Sequence, residues 1–426
     1  MIERIQNALR QCGISLWRIN EAVEETAELF FVRQKLDTRR IKDVRKYEVS
    51  VFRDVDGDGG EKRRGFTAVP LTAAMDDGQI AEELRSAYYA AQFAANPFYE
   101  LADPVKGPLV EKTGSLAEKP LAESAGIMAK ALFAPDTRGD AFVNSAELFI
   151  SRSRHRILSS EGTDVSYTDA QAKGEFVVQC REPEDVEIWN QFAYDGLEPE
   201  TLSRKVEESL AFVRDRARAC PDLKSGTFDL VLSGDAVQEL LGYYRHRSGA
   251  QSVYAKYSTW KLGEDVQGDV QGERLDLTLK ASAPYSTEGI PMEDLPLLRD
   301  GKLARYHGNN RFCRYLGVEP TGAYQKFHCG NGTVPFPELK KGPCLWVVTF
   351  SDFQMDAMSG HFGGEIRLAY LIDGVFVQPV TGGSINGSIL DAQKNLVFST
   401  ERYTSAEYDG PYAVRLPGVR VAGAGK

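Results

Sequence analysis

Apolar and polar positions alternate with period two along much of this chain, and with helical spacing in only a few places. Residues 25–72 alternate most clearly, as in Tyr47-Glu48-Val49-Ser50-Val51-Phe52-Arg53, and predict a strand meander with one apolar side. A second strand group is expected over residues 146–179, with turns at Ser160-Glu161-Gly162 and Ala172-Lys173-Gly174. Helical spacing puts Ile2, Ile5, Leu9 and Cys12 on one stripe of the first 20 residues. It recurs over residues 79–96, where Ile80, Leu84, Ala87, Ala91 and Phe93 repeat before the stop at Asn96-Pro97. Glu198-Pro199-Glu200 opens a third helix, with proline in its first turn and acids at the positive end of the dipole. Its apolar face is Leu202, Val206, Leu210 and Val213, and Arg214, Arg216 and Arg218 stand near its end. Residues 100–140 form a connector rich in Pro, Gly, Lys and Ala, with a short helix near Leu121–Phe133.

After Cys220-Pro221 longer strands and glycine-rich turns run to the end. The boundary is therefore drawn at residue 220, between an N-terminal α/β domain (1–220) and a β-rich C-terminal domain (221–426). The fold class is α+β: a mixed sheet with helices packed on it, then a strongly curved, barrel-like sheet with few helices.

Composition narrows the function. A chain of 426 residues, 42% hydrophobic and 26% charged, is ordinary globular material, which excludes disordered, collagen-like and coiled-coil classes. The net charge of −10 lacks the basic footprint of a nucleic-acid binder. No run approaches the roughly 18 uncharged apolar residues of a membrane span, and no apolar leader follows Met1-Ile2-Glu3-Arg4. Six scattered cysteines without CxxC spacing make neither a disulfide framework nor a zinc ribbon, so the thiols are expected reduced and the protein cytoplasmic.

The motifs that could carry chemistry mostly fail. Asp54-Val55-Asp56-Gly57-Asp58-Gly59 opens like a calcium loop, but loop position 12, which needs a bidentate acid, is Gly65; a hairpin turn is the expectation. Arg152, Arg154 and Arg156 have period two and line one face of a strand, as a charge-paired face or a contact for an acidic partner. Thr38-Arg39-Arg40-Ile41-Lys42 is the other basic cluster. None of the five histidines (His155, His246, His307, His328, His361) is followed by Glu. His361 has Glu365 four residues on, but Gly363-Gly364 opposes a helix, and on a strand the two sit about 13 Å apart. No GxSxG nucleophile arrangement and no phosphate-binding glycine loop is present.

One resemblance covers most of the chain and is strongest in its last 200 residues. The stretches are Leu230-Val231-Leu232-Ser233-Gly234, Ser252-Val253-Tyr254 leading to Lys261-Leu262-Gly263-Glu264-Asp265-Val266, Glu288-Gly289-Ile290-Pro291 and Glu319-Pro320-Thr321-Gly322. They continue with Gly360-His361-Phe362-Gly363-Gly364-Glu365, Gly382-Gly383-Ser384-Ile385-Asn386-Gly387-Ser388-Ile389-Leu390 and the closing Asp409 to Val421. Glu24-Glu25-Thr26 and the helix at 79–96 match more loosely. In these the chain resembles the TldD/TldE family (TldE is also called PmbA, and the older name is modulator of DNA gyrase). The resemblance implies a zinc peptidase in the TldD branch, with an HExxxH helix before the Ser-Val-Tyr segment and a cysteine ligand near the C-terminus. Here the corresponding helix reads from Ala236 to His246 without the two histidines, and the cysteine's place falls near Ala406-Glu407-Tyr408. The chain therefore looks like the TldE/PmbA branch, which lacks the metal.

That resemblance implies no catalytic residue, no metal ligand and no cofactor in this chain. It also implies a TldD-like zinc-bearing partner subunit, and extended or unfolded peptides, including precursors of modified peptides, as substrates of the complex. Vestigial or cleft-lining positions are Tyr243, Tyr244, His246 and His361, with Leu240, Leu241 and Tyr244 as a core stripe in the opposing reading. Two rivals stand beside it. One is a homodimeric peptide-binding scaffold without catalysis, the homodimer also being the assembly open to the isolated chain. The other is an independent hydrolase using His328, His361 and Asp352 or Asp356.

Overall fold

The computed structural model describes residues 1–57 and 59–424. Seven antiparallel strands build the N-terminal sheet in the order Ala95–Pro97, Lys62–Leu71, Lys35–Asp56, Leu16–Val32, Ala141–Ser159, Asp164–Cys180, Val186–Tyr194. Successive side chains alternate between its faces, so Ile19 and Leu29 on one strand point the same way. Ile19 packs with Val49 and Val51 under helices Ile2–Gln11 and Asp77–Ala91, through Ile5, Leu9, Ile80 and Leu84. Leu29 packs with Leu148, Ile150 and Phe176 under helices Leu121–Phe133 and Pro199–Ala217, through Met128, Leu132, Val206 and Leu210. All four helices therefore cover one face. The opposite face carries Glu24, Thr26 and Glu28 with Phe149, Ser153, His155 and Lys173, and is polar.

The first helix is shorter than its apolar stripe predicts. It ends at Gln11 because Gly13 takes a left-handed φ of 68°, and the strand begins at Leu16. Asp76 and Gln79 close a reciprocal capping box on the second helix, which stops at Ala91. Phe93, expected on its buried stripe, lies in a following 3₁₀ turn and is 72% exposed. The turn expected at Ala172-Lys173-Gly174 does not exist, since those residues continue the strand Asp164–Cys180. A Cβ on Gly174 would stand 2.2 Å from the Glu147 carbonyl oxygen and 2.8 Å from the Phe192 ring, so glycine here serves close packing. The acidic stretch at 54–59 is a hairpin, with Arg64 donating twice to Asp54 (2.7 and 2.9 Å); Asp58 lies outside the described residues.

In the C-terminal half, strands Cys344–Met355, Gly226–Ser233, Ala413–Ala422, Ser384–Ser388 and His361–Asp373 pair in that order, and the last pairs back to the first. This closes a five-stranded barrel, as the curvature expectation required. Its interior holds Leu230, Leu232, Leu345, Val347, Ile366, Val414 and Leu416, and helix Asp235–Arg247 adds Val237, Leu240, Leu241 and Tyr244 to the same core. A small six-stranded sheet, Lys302–Leu303 through Arg402–Thr404, packs alongside and was not foreseen. The cysteines are unpaired. No helix among the described residues is long and apolar enough to cross a membrane.

Candidate functional site

A cleft of about 950 Å³ opens where the polar face of the sheet meets the rim of the barrel. Phe149, Lys173, Gln191 and Ala193 of the sheet form one wall, and Arg204, Lys205 and Glu208 of helix Pro199–Ala217 extend it. The facing wall is the first turn of helix Asp235–Arg247 (Asp235, Gln238, Glu239), with Lys326 and residues 402–407. Local sequence explains the placement. Strand Gly226–Ser233 turns at Gly234, whose φ of 61° suits glycine, and the helix starts at once on the barrel rim. Val237, Leu240, Leu241 and Tyr244 follow helical spacing into the core, which leaves Asp235, Gln238 and Glu239 facing the cleft.

Side chains from distant parts of the chain bond across this space. Lys205 Nζ donates to the Tyr403 hydroxyl at 3.0 Å, and that hydroxyl donates to Asp235 Oδ1 at 2.5 Å. Ser405 Oγ donates to Gln238 Oε1 at 2.6 Å, and Lys326 pairs with Asp195 at 2.8 Å. Burial, reinforced by Asp235, holds the Tyr403 phenol far above its ordinary pKa. Burial, with the Glu208 charge, pushes Tyr412 up to about 12. Both phenols are therefore neutral donors at physiological pH, while burial raises the Glu208 carboxyl above the usual range. The cleft presents fixed donors, acceptors and aromatic surface.

A zinc ion does not fit here. Zinc takes histidine nitrogen, thiolate or carboxylate donors converging on one point. On the helix wall the cleft presents Gln238, already accepting from Ser405, and Glu239, whose Oε1 accepts from the Met355 amide at 3.4 Å. Among the described residues no group of three or more His, Cys, Asp or Glu is placed to hold a metal.

The residues singled out from sequence separate into two kinds. Tyr243 and Tyr244 are 3% and 0% exposed; they do not line the cleft but pack on Trp260 in the core, Tyr243 edge to face and Tyr244 stacked, and Tyr244 donates to Gln393 at 2.8 Å. Their aromatic bulk fills the space under the helix, which is the core-stripe reading. His246 and His361 are exposed and take no part in the cleft lining. His361 and Glu365 share one strand, as the intervening glycines required. His328 bonds Asp409 at 2.9 Å, whereas Asp352 accepts from Gln354 and Asp356 from Ser359, so these groups do not assemble into one hydrolytic centre. Arg152, Arg154 and Arg156 do share a face. Arg152 donates to the Leu116 carbonyl and Arg156 forks onto Asp164, while Arg154 is exposed. By contrast, Gln238 and Glu239 from the helix at 236–246, and Ala406 and Glu407 from the place at 406–408, line one wall of the cleft, while Tyr408 is buried beneath it. Lys205, Lys326, Tyr403 and Ser405 carried no motif that could have singled them out.

Comparison with known proteins bears on the family and the fold. Residues 225–424 match the family described as PmbA/TldA metallopeptidase C-terminal domain. The metalloprotease PmbA of Escherichia coli O157:H7 is 25% identical over 206 residues, 46% of this chain and 45% of that protein, so the match spans less than half of its length. Two solved structures share the fold over nearly the whole chain. TldE from Thermococcus kodakarensis has a TM-score of 0.78 at 16% identity, covering 99% of this chain and 100% of its own. The proposed modulator of DNA gyrase from Thermotoga maritima has a TM-score of 0.76 at 18% identity, covering 99% of each chain.

Proposed function

The chain belongs to the TldD/TldE (PmbA) family, and from that premise we propose that it is a non-catalytic subunit of a two-component zinc metallopeptidase acting on extended or unfolded peptides. The observation that carries the reading is the Gln238–Ser405 pair on the cleft wall. An amide and a hydroxyl, bonded to each other, stand where the family resemblance puts ligand-bearing segments. In this reading the chain binds and orients the peptide, and hydrolysis belongs to the zinc-bearing partner. Edge strand Val186–Tyr194 ends in the cleft, so an extended peptide can run beside it and exchange backbone hydrogen bonds independently of side-chain sequence. Lys205, Tyr403 and Asp235 then fix the cleft's shape and supply the charged and donor groups around the peptide backbone.

The test is the metal content, mass and peptidase activity of the purified chain, alone and mixed with a TldD-type homologue from the same genome. The expected result is a chain without stoichiometric zinc and without activity, which joins the homologue in a complex that cleaves unfolded peptides. Lys205→Met should weaken peptide capture by that complex without dissolving it. Stoichiometric zinc and peptide cleavage by the chain alone would sink the proposal.

A further inference from the structure

Strand Lys35–Asp56 has a neighbour on one side along its whole length, strand Leu16–Val32. On its other side strand Lys62–Leu71 pairs only from Tyr47 onward. Residues 36–46 thus leave a free, solvent-exposed edge of roughly 35 Å, by the usual rise per residue. Ile41 at its middle is 62% exposed and Leu36 is 45% exposed. Natural sheets commonly guard such edges with charge, and a guard of one sign repels a copy of itself in every register. This edge is different, because its charges alternate in sign about Ile41, reading Asp37, Arg39, Ile41, Asp43, Arg45 at every second position.

We propose that this edge pairs antiparallel with the same edge of a second copy of the chain, about a two-fold axis through Ile41. The axis stands perpendicular to the sheet, so residues facing each other share a face and their numbers sum to an even value. At a sum of 82, Ile41 faces Ile41 and each Arg39 faces an Asp43 of the other copy. Asp37 and Arg45 continue the same order outward, Asp37 lying at the irregularity beside Phe30 and Phe31. A sum of 80 sets Asp37 against Asp43, and a sum of 84 sets Arg39 against Arg45 and Lys42 against Lys42. Directly opposed like charges are unfavourable, so the neighbouring registers are rejected. On the reverse face Arg40 comes opposite Lys42, but both already pair with the buried Glu28 of their own chain, at 3.0 and 2.5 Å. The product is one continuous fourteen-stranded sheet, twice the seven of one copy, with the two clefts at its outer ends. The inference is independent of the cleft's function.

Sedimentation of the full chain across a concentration series tests it. The wild type is expected to dimerise, and Asp43→Arg, an exposed change, to raise the dissociation constant about tenfold or more by opposing two arginine pairs. The exchange Arg39→Asp with Asp43→Arg in one chain restores the opposed signs and should restore the dimer. Ile41→Cys should cross-link to its own copy under mild oxidation, whereas Arg40→Cys should not. A wild type that stays monomeric, a dimer unmoved by Asp43→Arg, or an exchange that fails to restore it would each overturn the proposal.

Discussion

The two halves of this molecule solve the same problem, burying the apolar face of a sheet, in opposite ways. The N-terminal sheet stays open: helices cover one face, the other remains polar, and its long strands leave free edges. The C-terminal strands close on themselves, so their inner face becomes a sealed core of Leu and Val side chains with almost no free edge. The difference teaches where chemistry can be placed. A closed barrel gives rigidity and a rim, and an open sheet gives a wettable wall; the cleft forms where one meets the other.

The largest expected effect probes the sealed half. Leu232 is fully buried in the barrel, and Leu232→Ala should cost about 3–4 kcal/mol in denaturant unfolding. A loss below about 1 kcal/mol would mean that the interior collapses around the gap. Next comes the only buried histidine among the described residues, which sits beside helix Asp235–Arg247 rather than in the barrel wall. Burial holds His307 down at about 4 from 6.5, while its Nε2 lies 2.8 Å from the Arg245 carbonyl oxygen. Its folded pKa is depressed, so the unfolded chain takes up the proton first as pH falls. Stability should therefore be undiminished above pH 6.5 and decline toward pH 4, by on the order of 3 kcal/mol. His307→Gln should flatten that decline, and an unchanged slope would refute the assignment. The smallest effect concerns the open half, where Arg64, nearly buried, is held by Asp54 at the hairpin end. Asp54→Ala should cost about 1–2 kcal/mol by leaving the Arg64 Nε and Nη2 donors without their acceptor. The arginine's hydrogen bonds hold the Asp54 carboxyl below its usual range. That contribution is present above the ordinary carboxylate pKa and should vanish as pH falls through the folded one.

Much of the fold was legible because period and punctuation agreed. Leu121–Phe133 and Pro199–Ala217 stand where spacing and the proline put them. Misreadings arose where a glycine had two meanings: Gly174 marks close strand packing rather than a turn, and Gly13 cuts a helix that the apolar stripe would have continued. The site was legible only in outline. The helix and the loop that the resemblance pointed to both contribute residues to one cleft, but the aromatic positions on that helix look inward. The Lys205–Tyr403–Asp235 chain joins residues 198 and 168 positions apart, which no local pattern can announce.

Two side-chain links span the cleft from one half of the molecule to the other, Lys205 to Tyr403 and Lys326 to Asp195. Mechanically they are the stays of a joint, and they are unequal. The first ends on a half-buried phenol that stays neutral, so salt acts on it less. The second ends on a carboxylate 41% exposed and slackens as salt screens it. The aperture between the two walls is thus adjustable on one side and anchored on the other.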